Sequence, residues 1–374
     1  MATSFTPGLR VAETTLITKD RILPLRGNVV VQVGQQLAAE EIVARTDLPG
    51  NVMPLNAANL LGCLPGDVRG ALLVKEGEKI SKDQVIAESK SFFGLFKNKL
   101  VSPINGTLES VSDVTGQLIL RDPPIPVEID AYLEGRVTAI HEHEGVEIQE
   151  VGTFIQGIFG IGGETCGSIQ MAVTSPEEVL DESRIPSDCK HHILIGGSLA
   201  TFEAVQKAVA CGASAIVVGG FDSFDLKKLL GYEQGVAITG GEQIGITLVL
   251  TEGFGKITMA RRTFELLKKN EGHKASVSGA TQIRAGVMRP EIIIAKKDVT
   301  QHDVHVHEAG GLEIGDVVRI IREPWFGQIG LVAELPPELS ALDTEAKVRV
   351  LKVKLDGTNE IVTLPRANIE KIEE

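Results

Sequence analysis

Three alternating polar residues in the last third of the chain could bind a metal ion. Asp303, His305 and His307 would share one face of a strand, because successive side chains of a strand point to opposite sides. Carboxylate and imidazole groups are ligands of zinc and other transition metals. Alternating histidines also suit an exposed linker or an edge strand. We favour that second interpretation, so the sequence predicts neither a resident metal nor any other cofactor.

Several apolar segments end in glycines, which could let backbone amides approach an anion. In parallel α/β sheets, ligands bind beyond the carboxyl ends of the strands, where the N-termini of helices carry partial positive charge. The alternative is that these glycines serve only tight turns from strand to helix. If the chain has a small-molecule site, we expect it near Gly196, Gly197, Ser198, Gly219, Gly220, Gly253 and Gly255.

Basic residues follow the last of these glycines and could add charge to the same site. Residues 255–258 (GKIT) are similar to the end of a Walker A loop. However, Leu250 stands where the first glycine belongs and Ile257 where the magnesium-binding hydroxyl belongs, so ATP hydrolysis is not expected. The candidates for contact with an anion or a ligand phosphate are Lys256, Arg261, Arg262, Arg284 and Arg289.

Composition indicates a globular protein. The chain has 374 residues, of which 43% are hydrophobic, and this length suits two or three domains. No apolar run reaches the roughly 18 residues that a membrane helix needs, and the N-terminus lacks the pattern of a signal peptide. We therefore expect a soluble, cytoplasmic protein without membrane insertion. The four cysteines show no CxxC spacing, so we expect reduced thiols.

Charge is distributed unevenly along the acidic chain. The net charge is −13, which disfavours contact between the whole protein and a polyanion. Residues 190–298 carry fourteen basic and ten acidic side chains, whereas residues 311–374 carry eight basic and twelve acidic ones. The middle of the chain is therefore the more favourable surface for an anion or an acidic partner.

Apolar strands alternate with helical segments in the middle of the chain. Residues 192–198, 214–221 and 245–255 are apolar and glycine-ended, and each precedes a helical segment. This alternation predicts a small parallel sheet covered on both faces, which Glu291–Ala295 would complete. The predicted regions are an N-terminal segment (1–26), a β-rich region (27–180), an α/β domain (188–298) and a C-terminal β-barrel (310–374).

The β-rich region contains a duplication. Residues 28–46 align without a gap on residues 71–89 at an offset of 43. Each copy predicts a strand, a turn with a glycine and a second strand. The second copy, with Pro103 and Gly106 after it, resembles the biotinyl/lipoyl-type barrel-sandwich hybrid fold in its non-carrier form, because residues 91–97 interrupt the lysine-bearing tip of a carrier domain. This insertion brings three large aromatic residues that could fold onto the core or contact a partner: Phe92, Phe93 and Phe96.

The C-terminal region alternates apolar and polar residues on both sides of an aromatic turn. Residues 315–320 and 324–332 flank it, and two further alternating runs follow at 348–355 and 360–364. The pattern resembles a KOW motif within a small SH3-like barrel, of the type found in uncharacterised bacterial KOW-domain proteins. KOW motifs contact RNA or protein. The residues predicted to contact a partner are Pro324, Trp325, Phe326, Gly327 and Gly330.

No set of catalytic residues is evident in the sequence. It contains neither GxSxG nor HExxH, and no paired catalytic carboxylates stand out. We leave enzymatic activity open and favour a non-catalytic binding or scaffold protein that acts through protein–protein contacts. Two alternatives remain: an RNA- or ribosome-associated KOW protein, and an enzyme or sensor that binds a nucleotide or a phosphorylated metabolite in the α/β domain.

Overall fold

The protein is mostly β-structure with few helices. A computed structural model describes residues 9–89, 98–231, 242, 244–281, 288–296, 312–320, 324–325, 328–337, 339–341, 347–356 and 360–371. Within these residues the largest element is a mixed sheet of 13 strands. This agrees with the predicted combination of β and α/β structure.

The first third of the chain forms one long strand, β1, together with shorter strands and two short helices, around two hydrophobic clusters. One antiparallel sheet has the order β5-β10-β9-β6, a second has the order β11-β4-β2, and β7 pairs with β8. The elements are β1 (Val11–Ile22), β2 (Asn28–Val29), β3 (Gln36–Leu37), β4 (Ile42–Leu48), β5 (Val52–Asn56), α1 (Ala57–Leu61), α2 (Val68–Ala71), β6 (Lys79–Ile80), β7 (Val85–Glu88), β8 (Lys99–Val101), β9 (Gly106–Val111), β10 (Gln117–Arg121) and β11 (Ile125–Asp130).

The two copies of the sequence duplication share their local structure. Gly34 and Gly77 both have a left-handed φ, of 86° and 83°. The residue after each glycine donates its amide to the carbonyl three positions earlier, at 3.1 Å in the first copy and 3.0 Å in the second. The equivalent residues Leu37 and Ile80 are both buried, but in different clusters. Each copy therefore completes its own core with the help of other strands.

The middle of the chain forms most of the large sheet and three longer helices. The sheet order is β14-β20-β19-β17-β15-β21-β22-β13-β12-β3, and β1 pairs with β13. The elements are β12 (Gly135–His141), β13 (Gly145–Gln156), β14 (Phe159–Ile161), β15 (Glu164–Met171), β16 (Val179–Leu180), β17 (His192–Ile195), β18 (Leu199–Ala200), α3 (Phe202–Cys211), β19 (Ala215–Phe221), α4 (Ser223–Leu230), β20 (Thr247–Phe254), α5 (Arg261–Lys269), β21 (Lys274–Ser278) and β22 (Glu291–Ala295).

The predicted parallel strands are present. β17, β19 and β20 are adjacent and parallel, with Ile193 opposite Ala215 and Ala215 opposite Thr247. They are apolar because helices and loops bury both faces of this part of the sheet. Thr201 caps the N-terminus of α3 and Asp222 that of α4 with their side chains. β22 joins the same sheet, but it lies antiparallel to β21 and β13.

The large sheet continues across the predicted border between the β-rich region and the α/β domain. β15 is hydrogen-bonded to β17 on one edge and to β21 on the other. β13 pairs with β22 as well as with β12 and β1. Strands from both predicted regions thus share one continuous network of backbone hydrogen bonds.

The C-terminal strands form a separate antiparallel sheet of six strands. One side of this sheet carries its own hydrophobic cluster, which includes Val318, Val332, Val353 and Val362. The elements are β23 (Val317–Ile320), β24 (Ile329–Glu334), β25 (Leu339–Ala341), β26 (Lys347–Leu355), β27 (Ile361–Pro365) and β28 (Ile369–Lys371).

Two of the four cysteines are paired, which corrects the expectation that all are free thiols. The sulfur atoms of Cys189 and Cys211 lie at bonding distance, and their Cα atoms are 6.1 Å apart. The segment before β17 folds back against the end of α3, so residues 22 positions apart come within the span of a disulfide. Cys63 and Cys166 are unpaired.

The described helices are short. None of them is both long and apolar enough to cross a lipid bilayer.

Two phenylalanines on helices of the α/β region allow a matched test of the core. Phe264 on α5 is fully buried, whereas the side chain of Phe224 on α4 is 75% exposed. We expect Phe264→Ala to lower the free energy of unfolding by about 3–5 kcal/mol, because it leaves a cavity. Phe224→Ala should change it by no more than about 0.5 kcal/mol. Denaturant unfolding followed by far-UV circular dichroism measures both, and equal effects would contradict the described packing.

Candidate functional site

The glycines at the ends of the parallel strands lie directly under two crossing loops. A Cβ atom added to Gly197 would lie 2.3 Å from the carbonyl oxygen of Glu178. A Cβ on Gly219 would lie 2.2 Å from the oxygen of Ile257, and one on Gly220 would lie 1.9 Å from the oxygen of Gly255. Only glycine allows backbone to pass so close, so these residues are required by packing.

Most of the amides at these strand ends bond within the protein. Four donate to backbone carbonyls: Gly196 to Val217 at 2.8 Å, Ser198 to Glu178 at 2.8 Å, Gly219 to Gly197 at 2.8 Å and Gly255 to Phe221 at 2.9 Å. The buried Ser198 hydroxyl donates to the carbonyl of Glu177 at 2.7 Å. The expected role of these groups in holding an anion is therefore taken by the protein's own loops. Gly253 lies within β20 and has a φ of 132°, a backbone conformation that favours glycine.

A cleft lies outside this layer of loops. It has a volume of about 640 Å³ and separates the loops from the C-terminal sheet. Its walls come from the loop before β16, the end of β20, the segment leading into α5, and the turn before β24. The lining residues are Pro176, Glu177, Glu252, Lys256, Ile257, Thr258, Met259, Ala260, Arg261 and Gln328. Lys256 and Arg261 are thus the predicted anion-binding residues that the structure brings together.

The acidic groups of the cleft already have partners. Glu252 is buried, accepts a hydrogen bond from the amide of Ala260 at 2.9 Å, and forms an ion pair with Arg319. Glu177 accepts a hydrogen bond from the hydroxyl of Ser175 at 2.7 Å, which lowers the pKa of the Glu177 carboxyl. By contrast, no carboxylate lies within ion-pair distance of Lys256 or Arg261 in the part of the chain that the structure describes.

The pair of Glu252 and Arg319 joins the C-terminal sheet to the end of β20. The Glu252 side chain is 4% exposed and that of Arg319 is 8% exposed. Next to Arg319 on the same side of the sheet, Val317 and Ile329 pack against the core of the α/β region. Arg262 borders a small cavity between the same two parts, so it is separated from Lys256 and Arg261.

One row of side chains runs from this contact to the open surface. Val317 lies opposite Leu331, Leu331 opposite Lys354, and Lys354 opposite Ile361. Residues opposite each other on adjacent strands project to the same side of a sheet. Val317 packs on the α/β region, but Leu331 is 48% exposed and Ile361 is 57% exposed. We call Leu331, Lys354 and Ile361 the exposed row.

The aromatic turn is only partly available for contact. Pro324 is exposed, whereas Trp325 is half-buried and packs against the apolar cluster of the C-terminal sheet. Gly330 is buried, and a Cβ there would lie 2.5 Å from the carbonyl oxygen of Lys354. Phe326 and Gly327 lie outside the described residues. The Trp325 ring therefore serves packing within its own unit at least in part.

Several other candidates from the sequence are not brought to the cleft. Arg289 is described, but it precedes β22 and does not line the cleft. Among the described residues, no cluster of three or more His, Cys, Asp or Glu side chains could hold a metal. The remaining candidates lie outside the described residues: Phe92, Phe93, Phe96, Arg284, Asp303, His305 and His307.

Two residues that matter for the site were missing from the sequence predictions. Glu252 interrupts the apolar strand β20, and Arg319 interrupts the apolar strand β23. A charged residue within an otherwise buried apolar strand requires a partner, since an unpaired buried charge is costly. That signal was present in the sequence, although it could not indicate that each residue is the partner of the other.

Comparison with known proteins assigns neither a family nor a function to the chain. No protein-family model matches the chain, and a search of curated proteins gives no match.

The buried ion pair can be tested by removing its cation. We expect Arg319→Met to destabilise the C-terminal unit by about 3–5 kcal/mol, because Glu252 would stay buried without Arg319. Adding Glu252→Gln should recover part of this loss. The fluorescence of Trp325, the only tryptophan of the sequence, reports unfolding of this unit.

The matched control for this test is an exposed ion pair on the same sheet. Lys352 lies 2.8 Å from Glu334, and both side chains are more than one-third exposed. Lys352→Met should cost about 0–1 kcal/mol. If Arg319→Met cost no more than this control, the ion pair would not hold the two parts together.

Proposed function

We propose that the protein is a non-catalytic binding or scaffold protein whose C-terminal unit contacts a protein partner through the exposed row. The observation that carries the proposal is that one face of the C-terminal sheet runs without a break from Val317 through Leu331 and Lys354 to Ile361. Its Val317 end already makes a tight contact within the chain, and its other end leaves Leu331 and Ile361 open to solvent. Apolar side chains grouped on one exposed face are typical of interaction sites.

The proposal includes the resemblances inferred from the sequence. A KOW-type, SH3-like barrel for the C-terminal unit is supported by its antiparallel strands around one apolar cluster. A barrel-sandwich hybrid for the duplicated region is supported by the matching turns at Gly34 and Gly77. Both folds occur as binding modules, and neither determines a ligand. A cytoplasmic location belongs to the same proposal.

Residues 311–374 carry twelve acidic and eight basic side chains, and four of the basic ones are already engaged, which favours protein over RNA as the partner. Lys371 pairs with Asp316 at 2.8 Å, Lys352 pairs with Glu334, and Arg319 is buried against Glu252. Arg366 donates to the carbonyls of Val350 and Pro336 at 3.2 and 3.0 Å. RNA binding depends on cations that are free to neutralise phosphates. A contact centred on Leu331 and Ile361 instead buries apolar area.

The test is capture of the native complex on the full-length chain, with and without nuclease. We expect a protein partner that survives nuclease and moderate salt. Leu331→Asp combined with Ile361→Asp should weaken its retention about tenfold or more, because both changes place a charge within the contact. Retention is quantified against the unchanged chain by mass spectrometry.

Leu339→Asp provides a matched control, since Leu339 is also 57% exposed but lies on β25, opposite the other end of β26. It should leave the complex intact. Loss of the complex on nuclease treatment, with a steep dependence on salt, would instead favour the RNA-associated alternative. Equal effects of the paired variant and the control would rule out the exposed row as the contact.

A further inference from the structure

The cleft between the crossing loops and the C-terminal sheet has the position and size of a small-molecule site. It lies at the edge of the sheet where β17, β19 and β20 end, which is where α/β proteins bind their ligands. Its volume of about 640 Å³ falls within the range typical of ligand pockets. Because two parts of the chain form its walls, a ligand would contact both of them.

The cleft presents two cations whose positions call for an anion. Lys256 and Arg261 are exposed, and both line the cavity. Arg261 is also the first residue of α5, where the helix dipole disfavours positive side chains. Within the described residues neither cation forms an ion pair with a carboxylate, although Arg261 lies close enough to Glu177 to help lower the pKa of that carboxyl.

The other lining groups compensate only part of this charge. The charge of Glu252 is matched by Arg319, and Glu177 is the one further acid among the lining residues. Ile257 is partly exposed and adds apolar surface beside the cations, whereas Pro176 is a buried part of the same wall. This combination suits a ligand with a compact anionic group on an apolar or aromatic body.

We propose that the cleft binds a phosphorylated small molecule, with the phosphate between Lys256 and Arg261 and the rest of the ligand against Ile257. This proposal is independent of the protein contact through the exposed row. It concerns binding without hydrolysis, because Ile257 stands where a Walker A loop carries its magnesium-binding hydroxyl. The ligand is held by charge and by the enclosing walls.

Isothermal titration of the full chain with pyrophosphate, adenosine monophosphate and adenosine tests the proposal. We expect the two phosphates to bind and adenosine to bind much more weakly. Lys256→Met and Arg261→Met should each weaken phosphate binding about tenfold or more, since each removes a charged hydrogen-bond donor. Circular dichroism and the Trp325 fluorescence check that the variants are folded.

The matched control is Lys268→Met, because Lys268 is an exposed cation near the other end of α5. It should leave phosphate binding unchanged. The proposal is overturned if neither phosphate binds, if adenosine binds as tightly as adenosine monophosphate, or if folded Lys256→Met and Arg261→Met bind phosphate as the unchanged chain does. The variants of Leu331 and Ile361 should bind phosphate normally, so the two proposals can fail separately.

Discussion

The large sheet is held together by one strand, β13. A strand has only two edges for pairing, and β13 uses them to bind three other strands. Along one edge β13 pairs with β1 from Val11 to Ile22. Along the other edge its first half pairs with β12 and its last five residues pair with β22. The change of partner connects the duplicated region to the α/β region. Gly152 lies at this change, where a Cβ would be 2.5 Å from the carbonyl oxygen of Ile294.

Side chains of β1 strengthen this connection. Arg21 donates to both carboxylate oxygens of Glu164 at 2.9 and 2.8 Å and to the carbonyl of Asp130 at 2.9 Å. Its guanidinium lies over the ring of Tyr132, 5.2 Å from the centroid. Burial raises the pKa of Tyr132 well above its usual value, so the phenol stays neutral. Lys19 adds an ion pair with Glu291 at 2.6 Å. Arg21 and Lys19 of β1 thus contact residues of three other strands, β11, β15 and β22.

The sequence predicted local structure well, but it did not predict which strands and which charged side chains pair with each other. The reason is physical. Apolar runs such as residues 192–195 and 215–221 identify buried strands because burial on both faces requires them. The repeat of Gly34 at Gly77 identified the duplicated turn. Which strand lies beside which is a long-range property that no short pattern contains. The continuation of the sheet through β13 and the pairing of Glu252 with Arg319 therefore had to come from the structure.

The same distinction applies to the strand-end glycines, because the sequence did not show which segments of the chain pack over them. In an open α/β sheet the space above the strand ends holds the ligand. Here backbone from residues 175–178 and 255–257 fills that space, since Gly197, Gly219 and Gly220 allow its approach. The cleft lined by Lys256 and Arg261 lies outside this layer of backbone. Glu252 lines that cleft and pairs with Arg319, so the buried ion pair that joins the C-terminal sheet to β20 lies at the wall of the cleft.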